Sequence, residues 1–399
     1  MSISDKLIQL NTTKQNIKQA IIDKGVDMSS VPFTNYHTKI AEIVGEGGGG
    51  TEPTPKPDGA YTVRFFDYDG TILKTEYVLP NGSATAPILP DYSVASKYRP
   101  ALNFQEWNND FSNITSDLDI GATYIPTDDK THVFVRLTVV SGKDLSLYLN
   151  KTDTSTLSID WGDNITTTHT NNGNFNTSHT YSDYGDYEIK IWISSGSGEY
   201  GFGNGDIYSI FVGGSLQIQR DMLMYLFIGN NVSSIGAYAF SGCYSLTSIN
   251  IPANVSNIET RAFTNCRSLT SINIPANVSN IGSNAFSGCY SLTSINIPVD
   301  VSSIPDYAFG FCYSLTSINI PANVSNIGSN AFSGCYSILK YVFNRALPPS
   351  LADINAFSTI NSICKIYVPD ASVTAYKNAT NWITYADYIY PISEMEGDN

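Results

Sequence analysis

Two aspartates, Asp67 and Asp69, followed by Gly70 and Thr71, form the most chemically suggestive string in the chain. Carboxylates can act as nucleophiles toward phosphorus or as general acids and bases. Phosphoryl transfer by this route also needs Mg²⁺ completed by a later acidic pair, a lysine, and a parallel α/β sheet to hold them. No βαβ alternation follows Thr71, and the next stretch is β-prone with turn signals every few positions. The expectation is a hairpin turn between VRFF and TILKTEYV, with no catalytic residue assigned.

The string resembles the nucleophile loop of haloacid-dehalogenase-type phosphatases, but it lacks that context. His37, His132, His169 and His179 have no neighbours at metal or triad spacing. The loop Ser195 to Asp206 is Gly-rich but contains no lysine to meet a phosphate. Five of the six cysteines recur every 23 residues, at Cys243, Cys266, Cys289, Cys312 and Cys335, so they belong to a repeat and not to a disulfide or zinc framework. No metal and no cofactor is expected.

The elements that carry these residues follow from composition and period. A length of 399 residues suggests two to four domains. A net charge of −14 opposes a nucleic-acid partner. With 42% apolar and 15% charged residues the chain can bury sizeable cores, and neutral polar groups and aromatics must cover much of its surface. The opening MSISDKLIQLNTTKQ does not read as a secretory signal, and no segment approaches the roughly 18 apolar residues of a spanning helix. A soluble protein made in a cytoplasm, without membrane insertion, is expected.

Five units begin at Asn231, Asn254, Asn277, Asp300 and Asn323, each with an AFxxC turn before LTSINIP or a variant. The pattern LxxIxI sends Leu246, Ile249 and Ile251 inward and Ser248 and Asn250 the other way, as a strand requires. A 23-residue unit cannot bury its own apolar face, so the units must stack as a solenoid with Phe240, Phe263, Phe286, Phe309 and Phe332 as an interior ladder beside buried thiols. Leu223, Leu226 and Ile228 mark a degenerate first unit, and Ile363, Ile366, Val368 and Pro369 a last strand.

These residues resemble the BspA-like leucine-rich repeat family over 208–392, including its C-terminal cap VPDASVTAYKNATNWITYADYIYPI. The resemblance implies a right-handed solenoid with a stacked parallel sheet, used in adhesion and recognition. Within 131–200, WGD at Trp161 to Asp163 and HTY with GxY at His179 to Tyr187 resemble the PKD module, an immunoglobulin-like β-sandwich that usually acts as a spacer. Residues 60–127 resemble the bacterial-surface B-repeat, a β-grasp-like module closing on Ile114 to Tyr124.

Ile3, Leu7, Leu10, Lys14, Ile17 and Ile21 are spaced as a coiled-coil seam, and Gly45 to Gly59 reads as a flexible linker. Residues 1–44 resemble the N-terminal module of bacteriophage tail-fibre and related virion proteins. The expected fold is thus multidomain and mainly β: a helical coiled-coil-like module (1–44), a linker (45–59), a β-grasp-like module (60–127), a β-sandwich (131–200) and a leucine-rich-repeat solenoid with parallel sheet (208–392).

The resemblances imply a non-enzymatic virion protein, such as a tail fibre. It would dock on other virion proteins through 1–44 as a homo-oligomer, expected to be a trimer, and offer the solenoid to a host-surface glycan or protein. The alternative is a BspA-like adhesin on a bacterial cell surface, and a second alternative is a glycan-degrading or phosphatase enzyme. Ligand contact is expected on an outward ladder of Ser248, Ser271, Ser294 and Ser317 beside Asn250, Asn273, Asn296 and Asn319. It is also expected at the variable turn residues Arg261, Tyr244, Arg267, Tyr290, Tyr313 and Tyr336, whose types suit recognition.

Overall fold

The computed structural model describes residues 56–397 apart from 68–70, 97–98, 109, 115–117, 138–142, 152, 197–198 and 203–222. The helical seam and most of the linker expected in residues 1–55 lie outside that set.

The first strands, β1 (Tyr61–Phe66), β2 (Ile72–Val78), β3 (Leu102–Trp107) and β4 (Leu118–Pro126), form one sheet in the order β2-β1-β4-β3. β1 runs antiparallel to β2 and parallel to β4, leaving β3 at an edge. Alternation puts Val63 and Phe65 on the inner face, where they pack with Val78 and Ile120. The backbone N–H of Asp67 donates to Thr71 O at 2.8 Å, closing the β1–β2 connection as a turn does.

The next strands, β5 (Thr131–Leu137), β6 (Asp144–Lys151), β7 (Thr156–Asp160), β8 (Thr166–His169), β9 (Gly173–Thr180), β10 (Gly185–Ser195) and β11 (Tyr200–Phe202), make two facing sheets. Trp161 is fully buried between them. Its indole N–H donates to Thr167 Oγ1 at 3.1 Å, and its carbonyl accepts from the Tyr181 hydroxyl at 2.9 Å.

Both sheets continue into the repeats. β12 (Leu223–Phe227) pairs antiparallel with β5 and parallel with β14 (Ser248–Asn250), while β13 (Val232–Ile235) pairs parallel with β11 and with β15 (Asn257–Ile258). A single buried cluster therefore extends from Val133 to Ile389. The sandwich does not stand apart as a spacer. It covers the open edge of the first repeat, where unpaired backbone groups would otherwise invite association.

Further along, β16 (Asn280–Ile281) extends the β13 side, and β17 (Ser303–Ile304), β19 (Asn326–Ile327) and β21 (Ser350–Leu351) form a second parallel ladder there. The opposite side holds β18 (Ser317–Ile320), β20 (Lys340–Phe343), β22 (Lys365–Val368) and β23 (Ile389–Pro391), all parallel. The helix α1 (Val373–Asn378) and Trp382 close the end, with the Trp382 ring 5.6 Å from Phe357.

Inside, the phenylalanines stack without a gap from Phe202 through Phe240, Phe263, Phe286, Phe309 and Phe332 to Phe357, at 5.3–5.6 Å between rings. The thiols of Cys266, Cys289, Cys312 and Cys335 each donate to the carbonyl of the phenylalanine one unit before, at 3.1–3.3 Å.

Two expectations need correction. A strand does not form in every unit, since residues 271–274 and 294–297 carry none. There the Asn296 amide takes the backbone N–H and C=O of Ile274 at 3.1 and 2.9 Å, replacing ladder bonds. Ile363 does not point inward either. Asn361 Oδ1 accepts from its N–H at 3.1 Å and turns it out to 71% exposure, and Cys364 fills the buried place instead.

Candidate functional site

The first candidate surface, the outward face of the LxxIxI strands, is not open along its length. Asn250 is buried, with its Oδ1 accepting from the backbone N–H of Tyr124 at 3.1 Å and its amide donating to the Tyr124 carbonyl. In the next unit the Asn273 amide donates to the carbonyls of Asp67 and Ala122, at 3.2 and 3.1 Å. β4 thus lies against these units, and a Cβ at Gly121 would overlap the Asn273 side chain.

A cavity of only about 10 Å³ remains between Asn108 and Gly121 on one side and Ser271 and Ser294 on the other. Farther along, Tyr61 at the start of β1 packs against the buried group Val342, Tyr367 and Met395. The expectation that Ser248, Asn250, Ser271 and Asn273 form an exposed ligand ladder is therefore overturned, because the first sheet covers them. Ser294, Asn296, Ser317 and Asn319 are half-buried, and Asn296 is engaged with Ile274.

The second candidate surface is the ridge made by the AFxxC turns. Each unit adds one side chain to a column after its cysteine, because the 23-residue period repeats the same turn in register. The Arg267 guanidinium sits 4.6 Å from the ring of Tyr244 and 5.2 Å from that of Tyr290, a cation–π sandwich. Tyr290, Tyr313 and Tyr336 continue it at 4.6 and 5.6 Å with nearly parallel planes. Tyr244, Arg267, Tyr290, Tyr313 and Tyr336 are thus brought together, while Arg261 lies in a parallel column, donating to the Tyr238 hydroxyl at 2.5 Å. Tyr336 is 54% exposed at the end of the stack.

The ridge also carries backbone strain that the core does not need. Tyr238, Arg261 and Tyr307 have φ of 59°, 58° and 53°, in the left-handed region. Asn284 and Asn330 hold the same position in two other units at 59° and 55°, as asparagine does readily. Four residues before Leu315, Phe311 follows the same pattern at φ 62°, where Gly242, Gly288 and Gly334 stand in other units. Phe311 is 38% exposed, stacked 6.4 Å from Tyr307 and edge-on to Tyr313. Bulky residues at such φ values cost roughly 1–2 kcal/mol each; Arg261 and Phe311 are exposed there, while Tyr238 and Tyr307 are half-buried.

Sequence reasoning passed over Phe311. Its signal was the change from SGC to GFC in a unit otherwise like its neighbours.

The groups examined for catalysis are engaged in structure. Asp67 is buried and accepts from the Tyr92 hydroxyl. His132 lies between Asp128 and Glu188, at 2.8 and 2.7 Å. The bond from His132 holds Glu188 below the usual carboxylate range. Burial alone would raise Asp128, but the same ring outweighs it and lowers that group too. His179 pairs with Asp163 at 2.6 Å and stacks on Trp161, and His169 stacks on Phe175. Burial pushes the thiols of Cys289, Cys335 and Cys364 up to about 12, which removes the thiolate that metal binding or attack would need. Among the described residues no cluster of His, Cys, Asp and Glu could hold a metal ion, and no helix is long and apolar enough to cross a membrane.

Residues 219–340 match the BspA type leucine-rich repeat region in six copies, one more than the five regular units, which brings in the degenerate unit of β12. No curated protein matches the chain. Among solved structures it is similar to a leucine-rich repeat protein of T. pallidum, at 27% identity over 36% of this chain and 63% of that one, with a TM-score of 0.27. A leucine-rich repeat protein of Bacteroides ovatus is similar at 25% identity over 48% and 50%, with a TM-score of 0.32. A leucine-rich cell surface protein of Faecalibacterium prausnitzii is similar at 23% identity over 44% and 61%, with a TM-score of 0.24. The chain thus spans half to just under two thirds of these three proteins.

Proposed function

We propose that this chain, with its BspA-type leucine-rich repeats, is a non-enzymatic adhesion protein displayed on a bacterial cell surface, and that it binds through the turn ridge of the solenoid. The observation that carries the reading is the set of Tyr238, Arg261, Tyr307 and Phe311 held at positive φ, where asparagine or glycine serves in sister units. Strain kept at the exposed Arg261 and Phe311 and the half-buried Tyr238 and Tyr307, on the outer turns of the stack, supports a contact made outside the chain.

The test is adsorption of the purified full chain to cultured epithelial and bacterial cells, alongside Tyr307→Asn and Phe311→Gly. Both variants should fold with equal stability or up to about 1 kcal/mol more, because the strain is relieved, and both should adsorb severalfold less. Unchanged adsorption by the double variant would overturn the ridge as the contact surface.

A second reading changes the carrier and keeps the ridge. The seam from Ile3 to Ile21 and the linker after it suit docking onto a phage particle as an oligomer. Light scattering of the full chain with and without residues 1–44 tests it: an oligomer that becomes monomeric on deletion favours the particle, and a monomer in both cases removes that reading.

A further inference from the structure

We infer that a cleft between β3 and the turns of the third and fourth repeats is a second binding site, built for a neutral saccharide and separate from the ridge. It holds about 560 Å³, within the range of small-ligand sites.

One wall is aromatic. Phe104, at the sheet edge, is 38% exposed, and its ring lies 5.5 Å from Trp107 at 58°. Trp107 and Phe111 are both held edge-on by the fully buried Phe65, at 5.1 and 5.4 Å, so the wall is fixed before any ligand arrives. A bulge sets its geometry. The pairing of β3 with β4 slips between Phe104 and Glu106, and the Gln105 side-chain Oε1 at the slip accepts from the Ala253 N–H at 3.0 Å, fastening the strand to the solenoid.

The acceptors are carboxylates. Glu106 and Asp110 line the cleft. Asp110 takes bonds from the backbone N–H and hydroxyl of Ser112, at 2.9 and 2.8 Å. The backbone bond first, then the hydroxyl, keep its carboxyl below the usual range and hence ionised. Among the described residues no lysine or arginine lines the cleft, which disfavours an anionic ligand.

The opposite rim comes from the repeats and shows a departure from their pattern. Ala253, Ala276 and Ala322 follow the proline in their units, but the unit between the last two has Val299, which lines the cleft and is 57% exposed. The valine adds apolar area to this rim that alanine in the sister units does not, and it shares the cleft lining with Phe104.

Rings, carboxylates and an apolar rim ask for a ligand with a C–H face and hydroxyl edges. A pyranose has both, its C–H face lying on a ring while its hydroxyls donate to Glu106 and Asp110. An ammonium group would be enclosed by a far smaller cage than this cleft.

The test is saturation-transfer NMR and calorimetry of the full chain with neutral gluco-, galacto- and manno-oligosaccharides, and with tetramethylammonium as the cationic probe. At least one saccharide should bind. Phe104→Ala should weaken it about tenfold or more and Val299→Ala about threefold, while Phe311→Gly on the ridge leaves it unchanged. Val299→Ala installs the residue the sister units already carry, so its effect cannot be assigned to misfolding. Three outcomes would overturn the assignment: no saccharide binding at millimolar concentration, binding indifferent to both cleft variants, or tetramethylammonium binding in place of sugar.

Discussion

The strand face and the turn ridge of the same solenoid are built from equally regular columns, yet they serve opposite ends. On the strand face, Ser248 and Asn250 recur unchanged in the next three units, and the first two asparagines are spent on the backbone of β4 and its neighbours. On the ridge the residue before AF changes from unit to unit, Tyr238, Arg261, Asn284, Tyr307 and Asn330, and the column after the cysteine, tyrosine apart from Arg267, stacks side chain on side chain. Repetition without variation marks positions that bond to backbone, which is alike everywhere. Variation within a fixed period marks positions that answer to something outside the chain.

The sharpest way to break this contrast is on the covered face. Asn250→Ala leaves the buried N–H and C=O of Tyr124 without their partner and should cost about 2–4 kcal/mol in urea unfolding. Ser317→Ala, on the half-buried stretch of the same face, should stay within about 0.5 kcal/mol. Equal effects at the two positions would mean that the first sheet does not cover the strands in solution.

The ridge should respond less in stability and more in binding. Tyr290→Ser removes the ring between Arg267 and Tyr313 and should cost about 0.5–1.5 kcal/mol, with adsorption falling severalfold. A variant that loses stability as steeply as Asn250→Ala would make the ridge a packing device and erase the distinction.

The interior column gives a chemical check on both. With Cys289 and Cys335 raised to about 12 by burial, iodoacetamide at pH 8 should modify no ladder thiol in the native chain and all of them in urea. Labelling of native Cys289 would show that the stack opens.

The smallest expected effect is with acid, and it belongs to the sandwich end. Glu188 is held below its ordinary value of 4.5 by His132 in the folded state, so its contribution is complete above that value and disappears as pH falls through the lower folded one. Because the pair is partly open to solvent, unfolding measured from pH 6 to 3 should lose no more than about 1 kcal/mol from this source, and Glu188→Gln should remove that slope.

Legibility in the sequence followed the same division. The interior was readable because a 23-residue period places Leu, Ile, Phe and Cys at fixed offsets, and stacking is the only way such a unit hides them. The ridge column was readable for the same reason. The covering of Asn250 was not, since its partner Tyr124 lies 126 residues away and nothing local announces the contact. Ile363 was misassigned because spacing alone cannot show Asn361 capping its N–H. The left-handed turn had a usable sign, asparagine at 284 and 330 with glycine at 288 and 334, which makes Tyr307 and Phe311 conspicuous once the turn is known. The cleft had almost none, because its two rims come from segments far apart in the chain.

The sheet of β1 and β4 touches the solenoid at both ends of its run, with Tyr124 on Asn250 near one end and Tyr61 beside Tyr367 near the other. Whole units are the natural currency of change in a stacked chain, since duplication preserves every contact between neighbours. Here a gained unit would carry Tyr367 roughly 4.8 Å farther from Asn250, while β1 keeps its own length. A sheet fastened at both points matches this count of repeats, and a gained unit would have to give up the contact at Asn250 or the one at Tyr367.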